Sequence, residues 1–244
     1  MQFTIATTLS PAVLKIQGLL RKTDRLRLPT WSRREVERIL VRQVAKELDR
    51  ALPNQQGHGR RTAQVAHRIG RALGLDADAL HDLLLAAWLH DIGLLMLPPD
   101  LTEGSGSLEP ESYVAIQQHS RLGATLLEPF AFLGNAAILI AHHHERWDGS
   151  GYPYGIRGSF IPLGARILSI ADTFDAIRVP EISEPALRNR IAVRIIRVAS
   201  GTQFDPQLVH LLEHCLIEGG RDQNPTLNSP RQSVQSGRMK EDAP

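Results

Sequence analysis

A single cysteine, Cys215, excludes an intramolecular disulfide and fits a reducing compartment. No apolar run among the 244 residues is long enough to span a bilayer. The N-terminal stretch lacks the basic start of a signal peptide, and Lys15 interrupts its apolar part, so a cytoplasmic protein is expected. Aromatic residues make up only 5% of the chain, and the formal net charge is +2. Nothing in that balance calls for a nucleic-acid polymer as partner. No segment carries a convincing strand pattern and no fixed-period repeat is present, which leaves an all-α fold.

What the chain does have is a series of one-sided helices, several of them with histidine or aspartate on the apolar side. The most informative stretch is Leu80 to Gly93, LHDLLLAAWLHDIG. Leu80, Leu83, Leu84, Ala87 and Trp88 recur at the spacing of a helix with one buried face. The same count places His90 and Asp91 on that face, with Gly93 positioned to end the helix. An unpaired buried carboxylate is costly, so Asp91 needs a cation, a donor network or a neutral form. A metal ion would satisfy both residues together.

Upstream, Pro11 to Leu20 reads as a short helix. Ser32 is placed to cap the next one, with Glu35 completing a capping box. Val36, Ile39, Leu40, Val44, Leu48, Ala51 and Leu52 form its apolar stripe. The opposite face carries Arg33, Arg34, Arg38, Arg42, Lys46 and Arg50, most simply a solvated surface. A helix over His58–Leu73 turns His58, Thr62, Val65, Ala66, Ile69 and Leu73 inward and is closed by Gly74. Pro98 to Pro110 reads as a loop, Glu111 to Glu128 as one helix carrying His119, and Asn135 to His144 as another. Asp148 to Pro162 is a glycine-rich excursion. In the following helix Ala165, Leu168, Ala171, Asp172 and Asp175 share a side, and helices over 188–199 and 206–217 complete the set. The expected division is a helical extension over 1–53, a site-bearing domain over 54–218 and a disordered tail over 219–244.

His58, His90, Asp91, His119, His143, His144 and Asp172 thus come from five separate helices, each at or beside an apolar face. A lone histidine there is usually a hydrogen-bonded core residue, but so many coincidences are not plausible. Helical bundles build metal sites in this way, from side chains on facing helices. Mixed imidazole and carboxylate ligands favour iron, manganese or zinc, and seven ligands suit two ions better than one. His67, His81, His142, His210 and His214 are assigned to surface or packing.

HDIG at His90–Gly93 and HHERWDGSGYP at His143–Pro153 resemble the two halves of the HD-GYP signature. HxxxG at His119, IPLGARI at Ile161, ADTFDA at Ala171 and SGTQFDP at Ser200 extend the resemblance from about His58 to Leu212. It implies an HD-domain helical bundle with a glycine-rich GYP loop that hydrolyses cyclic di-GMP to linear pGpG or GMP. It further implies that His58, His90, Asp91 and Asp172 hold one divalent ion, iron or manganese before zinc. His119, His143 and His144 would hold a second, Asp91 would bridge the two, and Asp91 with His90 would be the catalytic pair. Three-metal members carry a glutamate where this chain has Asn54, which again points to two ions. Tyr152 and Gly151 are candidate substrate contacts, against the alternative that their loop caps the preceding helix. Leu94 stands where the family usually has a lysine that meets a substrate phosphate. The segment after Ala176, IRVPEISEPALRNR, and Glu103–Ser105 also depart from the usual pattern. Two other readings therefore stand beside the phosphodiesterase. One is a regulatory module acting through a partner such as a diguanylate cyclase; the other is a phosphohydrolase with a different phosphate ester.

Overall fold

The apolar faces close on one another as a core built from helices alone. The computed structural model describes residues 9–24, 29–103, 109–177 and 183–215. The expected tail over 219–244 and part of the segment after Ala176 lie outside the described residues. Among the described residues there is no strand, only an isolated bridge between Ser200 and Phe204. In chain order the helices are α1 (Pro11–Asp24), α2 (Thr30–Ala51), α3 (His58–Ala72), α4 (Ala77–Leu89), α5 (Pro99–Glu103), α6 (Pro110–Ile116), α7 (His119–Leu127), α8 (Gly134–His142), α9 (Leu163–Ala176), α10 (Pro185–Val198) and α11 (Pro206–Glu213).

α3 packs between α4 and α9, and α7 packs against α8 and the 3-10 turn Ile92–Met96. Ile69, Leu83, Leu89, Ile140 and Ile167 are fully buried where these helices meet. Each such side chain contributes about 1.5–3 kcal/mol relative to exposure. Val13, Ile16 and Leu20 of α1 and Leu40, Val41 and Val44 of α2 belong to the same buried cluster.

The helix ends differ from the sequence expectation in ways that shape the site. α2 begins after Pro29, so Ser32 lies inside its first turn and donates to the Pro29 carbonyl at 3.1 Å instead of capping. Glu35 pairs with Arg38 rather than reaching back. The buried stripe of α2 is also rotated. Glu37 turns inward to meet His81 of α4 at 2.9 Å, while Ile39 is 47% exposed. In α3 the final Leu73 lies past the last helical residue and is exposed, with Gly74 in the left-handed conformation (φ 77°) closing the helix. Pro99–Glu103 forms a short helix within the expected loop. The single helix expected over Glu111–Glu128 breaks at Gln117–Gln118, which makes His119 the first residue of α7.

α4 stops at Leu89, so His90 and Asp91 occupy a turn and not a continuing helix. Gly93 does not terminate that helix. It lies in the following 3-10 turn, where a Cβ would sit 1.9 Å from the His119 carbonyl oxygen and 2.5 Å from the Gly123 nitrogen. Its missing side chain lets the turn after Asp91 press directly onto the start of α7.

Candidate metal centre

Three of the histidines leave their helices the same way. The ring Nδ1 of His90 donates to the Ala87 carbonyl (3.0 Å), that of His119 to Ile116 (2.7 Å) and that of His143 to Ile140 (2.6 Å). Each acceptor lies three residues back, in the last turn of a helix, where carbonyls run out of intrahelical donors. This bond puts the proton on Nδ1 and leaves the Nε2 lone pair facing the interior. For His58 the same task falls to a side chain: Asp175 Oδ2 accepts from Nδ1 at 2.7 Å, and Arg61 holds Asp175 through Nε (2.7 Å) and Nη2 (2.9 Å).

The Nε2 atoms and carboxylates so aimed fall into two groups, His58–His90–Asp172 and His119–His143–His144. In the first, His58 Nε2 is 3.2 Å from His90 Nε2 and 2.9 Å from Asp172 Oδ1, with His90 Nε2 to Asp172 Oδ1 at 3.5 Å. In the second, His119 Nε2 is 3.5 Å from His143 Nε2 and 3.2 Å from His144 Nε2. Asp91 lies between them. Its Oδ2 faces His90 at 3.3 Å and His58 at 3.8 Å, while Oδ1 faces His119 at 3.6 Å.

These spacings fit a metal better than a hydrogen-bond network. His119 and His143, each donating through Nδ1 to a main-chain carbonyl, present only lone pairs to each other at 3.5 Å, an arrangement that repels without an ion between them. Ligands about 2.0–2.2 Å from a shared ion lie about 3.0–3.5 Å apart. The donor set itself, imidazole nitrogens with carboxylate oxygens, suits a divalent transition metal.

The electrostatics of the two groups differ. Burial alone would pull His58 down, but hydrogen bonds to Asp172 and Asp175 outweigh it and raise it to about 9. Burial is likewise overcome at His90, which Asp91 and Asp172 hold well above its ordinary value. The carboxyl groups of Asp91 and Asp172 stay below the usual range despite burial, held there by the neighbouring imidazoles. In the other group, burial and then the adjacent histidines push His143 well below its ordinary value and His144 down to about 4. His143 and His144 are therefore neutral near pH 7, and Asp91 and Asp172 are anionic.

The glycine-rich loop is built onto this centre. Trp147 N donates to the Gln203 carbonyl (3.1 Å) and Asp148 N to the Thr202 carbonyl (2.9 Å), while Arg166 binds Asp205 at 2.6 Å. The SGTQFDP turn thus carries the loop. Gly151 is required by close approach, because a Cβ there would lie 2.3 Å from Arg146 N and 2.6 Å from the His144 carbonyl oxygen. Tyr152 donates its backbone N–H to that same carbonyl, and its ring stacks on the His144 imidazole at 4.8 Å. Gly151 accordingly sits where packing explains it, and Tyr152 braces a candidate ligand.

All seven predicted ligand residues converge, although their sequence positions span more than a hundred residues. Asp175 and Arg61 were not among the predicted site residues. The signal was available, since Asp175 lies three residues after Asp172 and Arg61 three after His58, each pair on one helical face. Leu94 is buried against Leu48 and Leu52 of α2 and serves as a packing residue. Arg188 and Arg190 lie on the exposed side of α10. Because outer partners of metal-ligating histidines orient the ring, Asp175→Asn is expected to weaken metal affinity about 10–100-fold. Competition with a fluorescent chelator measures this, and an unchanged affinity would remove Asp175 from the site.

The HD domain family pattern matches residues 42–208, and the chain belongs to that family. It is 33% identical over 177 residues to the cyclic di-GMP phosphodiesterase response regulator RpfG of Xanthomonas campestris, covering 70% of this chain and 47% of that protein. It is 30% identical over 184 residues to the 3'3'-cGAMP-specific phosphodiesterase 2 of Vibrio cholerae, covering 74% and 35%. The crystal structure of the Vibrio cholerae cyclic GMP-AMP specific phosphodiesterase V-cGAP3 shares the fold, with TM-score 0.55 at 23% identity over 86% of this chain and 49% of that one. The chain spans less than half the length of these curated relatives. Among the described residues no helix is long and apolar enough to cross a membrane.

Proposed function

We propose that the chain is a metal-dependent phosphodiesterase acting on a cyclic dinucleotide, cyclic di-GMP first, with linear pGpG or GMP as product. The observation that carries this reading is Asp91, whose two oxygens are divided between two groups of inward-facing ligands. His58, His90 and Asp172 would hold one divalent ion and His119, His143 and His144 the other, with Asp91 shared. Iron or manganese suits this donor set, and zinc is also compatible. Bound divalent ions supply Lewis acidity at a phosphoryl group and at water.

The chain's own residues do the positioning. The three carbonyl-locked imidazoles cannot rotate without losing a hydrogen bond, so the ligand atoms are arranged before any ion or substrate arrives. His90 and Asp91 are 2% and 8% exposed, which keeps bulk water from competing at the reacting group. Tyr152 stacks on His144 and so fixes the plane of its ring.

Relatives bearing both the cyclic di-GMP and the 3'3'-cGAMP name make those two dinucleotides the substrates to compare. Manganese- or iron-loaded protein is incubated with each and the nucleotide products are separated. Bound metal with hydrolysis of neither would overturn the assignment. It would favour the regulatory module acting through a partner such as a diguanylate cyclase. One observation supports that second reading: buried Leu94 supplies no cation to a substrate phosphate.

A further inference from the structure

Helices α2, α3 and α4 line an open groove of about 700 Å³. That volume is in the range of small-molecule sites. Arg38 and Arg42 line it from α2, Arg60 and Arg68 from α3, and Leu85 and Trp88 from α4. No carboxylate lines it. Arg38 is held by Glu35 at 2.6 Å, but Arg42 and Arg60 have no ion pair among the described residues. Four guanidinium groups around a partly buried indole are more than a solvated helix face needs. All four arginines are exposed along the rim of the groove, where a solvent-borne anion can reach them.

The chemistry of the lining defines its occupant. Guanidinium forks match phosphate oxygens in geometry and charge, and both an indole and a guanidinium plane stack on flat rings. Trp88 also lines a small cavity whose other walls include His90 and Asp91. At that point α3 presses onto α4, since a Cβ on Gly59 would lie 2.7 Å from the Trp88 carbonyl oxygen. An occupant of the groove would therefore touch a residue two positions from His90.

We infer that this groove is a second binding site, separate from the metal centre, for a phosphorylated nucleotide: arginines take the phosphate and Trp88 takes the base. The inference does not depend on the phosphodiesterase reading, because it is tested on protein stripped of metal. Full-length chain treated with EDTA is titrated with GMP by calorimetry, with guanosine and inorganic phosphate as separate probes. GMP is expected to bind at one site per chain and more tightly than either probe alone. Arg42→Gln with Arg60→Gln should weaken GMP about tenfold or more, since each removes a charged hydrogen-bond donor. Trp88→Leu should weaken GMP while leaving inorganic phosphate unchanged, a pattern that general unfolding would not produce. Absence of saturable GMP binding would overturn the inference, as would binding indifferent to both substitutions. Phosphate binding as tight as GMP would overturn it too, reducing the groove to an anion patch or a surface for an acidic protein.

Discussion

With His90 and Asp91 both replaced by alanine, the protein is expected to lose bound metal from both ligand groups and all detectable turnover of cyclic di-GMP. The two residues supply one imidazole and the carboxylate whose two oxygens face the two groups, so neither set keeps its full complement. The double change is preferable to Asp91→Ala alone. Asp91→Ala alone leaves His90 Nε2 and its neighbours able to retain part of an ion's ligand set, which would blur the reading of metal loss. Neither side chain belongs to the apolar core, so the helical bundle should persist and the loss can be read as loss of the site. Elemental analysis of metal per chain and chromatography of the nucleotides report the two effects, and circular dichroism reports the fold. A double variant retaining its full metal content would mean the ions bind elsewhere.

Gly93→Ala is expected to be almost as damaging from outside the ligand set. An added methyl would meet the His119 carbonyl carbon at 2.8 Å and its oxygen at 1.9 Å, both backbone atoms that no rotamer change can move. Either the turn after Asp91 or the start of α7 must shift, separating His119 from Asp91. Overpacking of this kind costs about 3 kcal/mol. In a protein of this size that lowers the melting temperature by about 6–12 °C. Metal content should fall first in the His119–His143–His144 group. A variant with unchanged melting temperature and metal content would show that the two backbone segments are not held against each other.

Much of this arrangement was legible in the chain. Periodicity placed Thr62, Val65, Ala66 and Ile69 on the inner side of α3, and the same reasoning put His58 with them. The seven candidate ligand positions were identifiable because polar residues recurred where apolar ones were due. Helix ends were less legible, because they depend on contacts between segments. The count from Leu80 onward runs smoothly through His90, and only the approach of Gly93 to α7 shows why the helix must stop before it. The break at Gln117–Gln118 has no proline or glycine to announce it. The rotation of α2 follows from Glu37 pairing with His81, a contact between residues 44 positions apart. For Gly151 the sequence offered a candidate substrate contact, and the narrow space left by the backbone around His144 is visible only in the fold.

The carbonyl bonds to His90, His119 and His143 divide the centre into parts of unequal mutability. A main-chain acceptor survives every substitution at Ala87, Ile116 or Ile140 that keeps the helix end in place. Drift in the surrounding sequence therefore leaves those three rings undisturbed. His58 depends instead on a carboxylate and the guanidinium behind it, two side chains that single codon changes can alter. Adjustment of metal preference, by selection or by design, has its most accessible handle at Asp175 and Arg61.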